Sequence, residues 1–205
     1  FGASDFMIKV LIIGATGSVG RVTVKSLLQT IPSIELSVFS RHVTKTDFPQ
    51  NVHIFKGNVM NPKDLEPALQ GQNIVFAALS GDLVSMAQKI VEGMKKVGVS
   101  RLLFISSMGI YDEIPASIGA HENLKSNSAL IPYRKAADVI ENSGLDYTVI
   151  RPGWFNNGPV SYEITLKGQP FGGHDVSRAS IADLVTKIVS NPTLYTHESV
   201  GINSK

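Results

Sequence analysis

The sequence predicts a single α/β domain in which a parallel sheet carries helices on both faces. Three observations point to it. Apolar runs too continuous for a strand with one wet face recur along the chain. Helical patterns alternate with them. The first run breaks into a glycine-rich turn that opens a helix, Met7 to Arg21, MIKVLIIGATGSVGR. No repeat, low-complexity stretch or linker divides the chain, so residues 7–205 read as one domain with a small elaboration at the C-terminal end. Phe1 to Phe6 precede a natural start at Met7 and are expected to be an appended remnant outside the fold.

Composition narrows the function. With 43% hydrophobic and 18% charged residues, the chain is globular rather than disordered. A net charge of +2, with Lys95-Lys96 and Arg134-Lys135 as the notable basic pairs, gives no reason to expect a nucleic-acid or membrane partner. The absence of cysteine excludes disulfides, thiol catalysis and thiolate metal sites. No apolar run approaches the roughly 18 residues of a membrane helix, and no signal-peptide pattern opens the chain. These features fit a cytoplasmic enzyme acting on a small molecule, as a monomer or a homodimer.

The elements follow in order. After the first strand, Val19 to Thr30 carries a helical apolar face closed by Pro32. Ile34 to Phe39 and Val52 to Phe55 read as strands. Pro62 to Leu69 reads as a short helix with Asn61 as N-cap. Asn73 to Leu79 is a fourth strand, Leu83 to Val97 a helix ended by Gly98, and Arg101 to Ser106 a fifth strand. The pattern weakens from Asp112 to Pro132, as a long functional loop would. Arg134 to Ser143 reads as a helix with Asp138 to Ile140 toward the core. Tyr147 to Arg151 is a sixth strand, Tyr162 to Leu166 a short strand candidate, and Ser180 to Val189 a last helix. Ser199 to Ile202 reads as an edge strand.

The glycine turn has the make-up of a phosphate cradle. Gly14 permits a sharp turn, Gly17 removes a Cβ where a phosphate approaches the backbone, and Gly20 lets the helix pack closely on its strand. Free N–H groups and the positive end of the helix dipole would hold a pyrophosphate. Gly14, Thr16, Gly17, Ser18, Val19 and Gly20 are therefore candidate cofactor-binding residues. A Walker loop is excluded, because Arg21-Val22 stands where Lys-Ser or Lys-Thr is needed. The end of the second strand selects the dinucleotide. Where an NAD site carries an acidic residue, this chain has Ser40-Arg41. A guanidinium there grips a 2′-phosphate and cannot accept a bond from a 2′-hydroxyl, which points to NADP (NADPH) over NAD. Asn58 and Val59, after the third strand, sit where an amide meets the adenine. Ala78, Leu79 and Ser80, after the fourth, are small enough for close approach of a cofactor or, equally, for a crowded sheet edge. The five histidines lack metal-ligand spacing, and no metal is expected.

In this order GATGSVG, Ser40-Arg41, Gly57 to Val59, FISSMGIY at Phe104 to Tyr111, SGLDYTVIRPGWF at Ser143 to Phe155 and VSRASIADLV at Val176 to Val185 make the chain resemble the atypical short-chain dehydrogenase/reductase superfamily. The nearest group is the NAD(P)-binding, NmrA-like and biliverdin-reductase-B-like set, and the match runs from Met7 onward. The resemblance implies a flavodoxin-like arrangement of Rossmann halves, with dinucleotide across the strand C-termini and substrate in a cleft roofed by C-terminal segments. It implies that Ser107, after the fifth strand, is the active-site serine, and Ser106 beside it is a candidate cofactor-binding residue. It implies that Lys135 holds the nicotinamide ribose, and that Pro152, Gly153, Trp154 and Phe155 wall the nicotinamide. Each has a plainer reading: a strand-exit cap for Ser107, a surface lysine for Lys135, core packing for Trp154 and Phe155. The chain departs from the pattern at one point. The tyrosine expected four residues before the lysine is Ile131. Tyr133 is expected to point elsewhere on the helix. Tyr111, four residues after Ser107, is the candidate replacement acid or a binding group at the cleft mouth.

The leading function is an NADPH-dependent reductase passing hydride to a carbonyl, a quinone or a flavin, with Ser107, Tyr111 and Lys135 as candidate catalytic residues. The rival from another class is a non-catalytic NADP(H) sensor of NmrA type acting through a protein partner, which the missing tyrosine favours. An epimerase with a tightly held dinucleotide is a third reading, for which the chain is short.

Overall fold

The computed structural model describes residues 7–205; Phe1 to Phe6 lie outside the described residues. Ten strands and five α-helices form the frame. They are β1 (Ile8–Ile13), α1 (Ser18–Thr30), β2 (Ile34–Ser40), β3 (His53–Lys56), α2 (Pro62–Leu69), β4 (Ile74–Ala77), α3 (Leu83–Val97) and β5 (Arg101–Ile105). The chain continues through α4 (Ile131–Glu141), β6 (Asp146–Pro152), β7 (Trp154–Asn156), β8 (Glu163–Leu166), β9 (Asp175–Ser177), α5 (Arg178–Ser190) and β10 (Glu198–Asn203). Eight strands make one sheet in the order β3-β2-β1-β4-β5-β6-β10-β8, and β7 pairs with β9 in a small second sheet. Every pairing in the large sheet is parallel except β10 with β8.

Side-chain alternation along the buried strands builds two cores. Val10 and Ile12 of β1 point to the layer of α1 and α5, with Val24, Leu27, Ile181, Leu184 and Ile188. Leu11 and Ile13 point to the layer of α2, α3 and α4, with Leu65, Leu69, Ile90, Met94, Ala137 and Ile140. Each fully buried aliphatic side chain contributes about 1.5–3 kcal/mol, and strands sunk on both faces must read as unbroken apolar runs. The helix ends follow their local chemistry. Asn61 accepts from Lys63 N at 3.1 Å to start α2, Asp82 accepts from Ser85 N at 3.2 Å to start α3, and Gly98 ends α3 in the left-handed region.

Four expectations are corrected. The strand order is the 3-2-1-4-5-6 of a dinucleotide fold rather than the flavodoxin-like order. Helix α4 begins at Ile131, with Pro132 in its first turn, where a missing N–H costs nothing. Its core side is Ala136, Ala137 and Ile140, while Asp138 faces outward to Arg134 Nε at 3.0 Å. The strand over Ser199–Ile202 is interior; β8 folds back antiparallel beside it and takes the edge.

The two halves of the sheet meet at Gly14. Its N–H donates to Phe39 O at 3.0 Å, and Ala78 N donates to Ile13 O at 3.0 Å. Its φ is +82°, and a Cβ there would stand 2.1 Å from Ala78 O. Gly14→Ala is expected to cost about 2–5 kcal/mol from strain and overlap together, read as a lowered urea midpoint with an unchanged slope.

Candidate functional site

The strand order reverses between β1 and β4, and the crevice at such a point is where an α/β sheet takes its ligand. A groove of about 410 Å³ opens there. Gly14 and Gly17 line it from the first loop, Ser40, Arg41 and His42 from the end of β2, and Asn58, Val59 and Met60 from the turn after β3. Ala78, Leu79, Ser80, Gly81 and Asp82 line it from the end of β4, with Met86 from α3. The structure thus brings nine of the sequence-predicted cofactor residues to one groove.

Local bonding holds this wall in place. Thr16 Oγ1 and Ser40 Oγ are 2.8 Å apart, tying the glycine loop to the end of β2. Asn58 Oδ1 accepts from Met60 N at 2.9 Å, and Asp64 Oδ2 accepts from Asn58 N at 3.0 Å. Helix α1 starts at Gly17 with no side-chain cap and no acidic residue in its first turn. Its first N–H groups therefore lack an internal partner. A Cβ on Gly17 would meet only Gly14 O, at 3.4 Å. Uncapped amides beside open space fit the pyrophosphate of a dinucleotide. Val19 and Gly20 have other duties. Val19 is packed in the core, and a Cβ on Gly20 would stand 2.4 Å from Gly14 O, so Gly20 serves close packing. Ser18 Oγ accepts from Arg178 Nε at 2.9 Å.

A second cavity, of about 300 Å³, lies at the ends of β5 and β6, the next strands across the sheet. Ser106, Ser107 and Met108 line it after β5, and Pro152, Gly153, Trp154 and Phe155 line it after β6. Glu122, Asn127, Ala129 and Leu130 of the long loop and Tyr133 of α4 complete it. Trp154 and Phe155 are 57% and 41% exposed, which decides between the two readings of this pair: they form a cleft wall and are not core. Trp154 Nε1 donates to Glu122 Oε1 at 2.7 Å, and the Arg178 guanidinium stacks on Phe155 at 5.3 Å. Ser106 Oγ donates to Tyr133 O at 3.2 Å, and Ser107 Oγ donates to Met108 O at 2.9 Å. Behind Trp154, His174 Nδ1 bonds Asp175 Oδ1, and its Nε2 stands 3.3 Å from Glu122 Oε2. The Asp175 bond, above all, with help from the Glu122 and Asp175 charges, raises the imidazole above its usual pKa against the opposing cost of burial.

Three site expectations change on this geometry. Lys135 is exposed on the outer side of α4 and lines neither cavity. Tyr133 takes the cleft-facing position instead. It lies three and four residues before the buried Ala136 and Ala137, on the stripe that continues to Ile140, a signal readable from helical spacing. Tyr111 is not at the cleft mouth. Its hydroxyl is 2.9 Å from Ser199 Oγ and 3.1 Å from Glu141 Oε2, and its ring is flanked by Arg134, Arg151 and Lys167. Burial, above all, drives its pKa far upward. A phenol held this way gives no proton to a substrate in the cleft. Glu122 was not foreseen; nothing in its own stretch of sequence marks it, because Trp154 and His174 reach it only through the fold.

Fold and site together define a dinucleotide-binding protein of the Rossmann type, with the groove at the strand crossing and a separate cavity beside it. The family model described as NAD(P)H-binding matches residues 14–192, and the chain belongs to that family, within the short-chain dehydrogenase/reductase-like oxidoreductases that its motifs resemble. A curated relative, "Uncharacterized sugar epimerase YhfK" of Bacillus subtilis, is 31% identical over 89% of this chain and 91% of its own. The "NAD(P)H azoreductase" of Xenophilus azovorans is 25% identical over 93% of this chain and 65% of its own. A short-chain dehydrogenase/reductase from Veillonella parvula, solved in complex with NADP, is 25% identical with a TM-score of 0.85, covering 96% of this chain and 94% of that one.

Tyr111 supplies a test of its assignment. Its pKa is raised in the folded state, so its contribution is present below the unfolded value of about 10 and is lost as pH rises through the folded value. Unfolding free energy is expected to fall on going above about pH 10. Tyr111→Phe should cost about 1–3 kcal/mol at neutral pH by unpairing Ser199 and Glu141, flatten that alkaline decline, and leave NADPH affinity unchanged by calorimetry.

Proposed function

We propose that the protein is an NADPH-dependent reductase whose acceptor is a small conjugated molecule, a carbonyl, a quinone or a flavin. The observation that carries this is the pairing of a dinucleotide groove with a separate aromatic-walled cavity at adjoining strand ends. When bound, the nicotinamide supplies a hydride. The amides at the start of α1 take the pyrophosphate, and Arg41 at the rim grips a 2′-phosphate. Ser107, Tyr133, Trp154 and Phe155 orient the acceptor and keep water from it. The azoreductase relative supports a reductase, and the NADP complex of the Veillonella protein supports the coenzyme.

The rival is a sensor that binds NADP(H) without turnover. It is favoured by Ile131 in place of a tyrosine and by the withdrawal of Tyr111 from the cleft. Acceptors that take their proton from solvent remove this objection.

Calorimetry with NADPH and NADH, followed by absorbance decay at 340 nm with a quinone and with a flavin, separates the two. Tight NADPH binding with acceptor-dependent decay is expected. Binding without decay for every quinone, flavin and carbonyl sets the reductase aside in favour of the sensor. Arg41→Asp should lower the NADPH:NADH affinity ratio by about tenfold or more, the worth of one charge-assisted phosphate contact; an unchanged ratio removes Arg41 from the site. Tyr133→Phe tests the cleft-facing phenol: kcat should fall with a carbonyl acceptor, which needs a proton at oxygen, and hold with a flavin.

A further inference from the structure

Resting on the coenzyme reading of the groove, we infer that Arg178 is the counter-charge of the coenzyme's pyrophosphate, a guanidinium held beside the glycine turn by the wall of the second cavity. The amides at the start of α1 can bond a pyrophosphate, but they cancel little of its charge. A helix end carries about half a positive charge, whereas each phosphate of a dinucleotide carries a full negative one. Among the described residues Arg41, at the end of β2, is the one lysine or arginine that lines the groove. A second cation stands just outside it.

Arg178 is the first residue of α5, and its side chain crosses to the first residue of α1. Its Nε donates to Ser18 Oγ at 2.9 Å, and its Nη1 donates to Asn157 Oδ1 at 3.0 Å. The guanidinium lies over the ring of Phe155 at 5.3 Å, and Phe155 lines the second cavity. These contacts fix the group beside the uncapped amides, because the N–H of Ser18 belongs to that set. They do not exhaust it. A guanidinium carries more N–H donors than these two bonds use. Ser18, engaged as an acceptor, keeps its own O–H to donate.

The other arginines show what is unusual here. Arg21, Arg134 and Arg151 pair with carboxylates. Arg101 is taken up by backbone carbonyls and the Thr148 hydroxyl. Among the described residues only Arg41 and Arg178 are left without either arrangement. A lone cation at the positive ends of two helices is unfavourable. A pyrophosphate at the start of α1 removes that penalty and adds charge-assisted hydrogen bonds. Arg41 then serves the 2′-phosphate at one end of the coenzyme, and Arg178 serves the pyrophosphate at its middle.

NADPH and NADH share the pyrophosphate and differ in the 2′-phosphate, so the two arginines leave different signatures. Calorimetry with both coenzymes on Arg178→Met, which keeps an apolar stem on Phe155, reads the one assigned to Arg178. Both affinities are expected to fall about tenfold, the scale of one charge-assisted phosphate contact, with the NADPH:NADH ratio unchanged. Adenosine 2′-monophosphate has the 2′-phosphate and no pyrophosphate. Read by its displacement of NADPH, it should bind the variant and the unaltered protein alike. Arg178→Lys keeps the charge and should recover most of the lost affinity. Unchanged affinities for both coenzymes, a loss confined to NADPH, an equal loss for adenosine 2′-monophosphate, or no recovery with lysine overturns the inference. An unaltered protein that binds neither NADPH nor NADH overturns the coenzyme reading of the groove, and the inference with it.

Discussion

The buried guanidinium of Arg151 fixes the half of the molecule that carries the second cavity. It sits on β6 with no exposure to solvent, and an unpaired charge there would cost several kcal/mol. Its Nε donates to Ser199 Oγ at 2.9 Å and its Nη2 to Ser199 O at 3.1 Å, which ties β6 to β10. Its Nη1 is paired with Glu113 of the long loop. Glu113 in turn accepts from Tyr111 N at 3.1 Å through Oε1, and its carbonyl accepts from Phe171 N at 3.0 Å. One charge therefore draws the loop that carries Ser107 and Glu122, the β8–β9 connection and the C-terminal strand onto the same spot. Tyr111 belongs to this network, which is why it serves the shape of the cleft rather than its chemistry.

The coenzyme side rests on a different principle, the closeness of two backbones. Gly14 and Ala78 touch across the strand crossing, and Gly20 brings α1 onto the same loop. No side chain is needed for the cradle itself; its donors are main-chain amides left free at a helix start. Side chains such as Ser40, Arg41 and Asn58 line the groove around it.

This division explains what the sequence disclosed. The groove was legible because its residues are consecutive in short loops that follow buried strands: Gly14 to Gly20, Ser40-Arg41, Asn58-Val59 and Ala78 to Ser80. The second cavity was half legible. Ser106, Ser107 and Pro152 to Phe155 follow strands, and the fold brings them to one cavity. Glu122 and Tyr133 come from a loop and a helix start that only tertiary packing brings there. Tyr133 was open to correction from helical spacing alone once α4 began at Ile131. Tyr111 misled because distance along the chain from Ser107 says nothing of direction, and burial beside three cations settled the direction. The interior place of β10 was hidden for a similar reason: position at the end of a sequence carries no information about position in a sheet.

The antiparallel strand β8 has a consequence for the order of assembly. It precedes β10 in the chain, yet in the large sheet β10 is its sole partner. Strand β8 therefore cannot join the large sheet until the last strand has found β6. The β5–β6 pairing closes the connection 106–145 and the β6–β10 pairing the connection 153–197, each with a helix inside it. Strands with a single sheet partner are among those that open first in the native state. Trp154 and Phe155 stand on β7, whose sole sheet partner is β9, so this cavity wall has fewer ladder bonds to break on opening than the doubly paired β1 and β4 that carry the cradle.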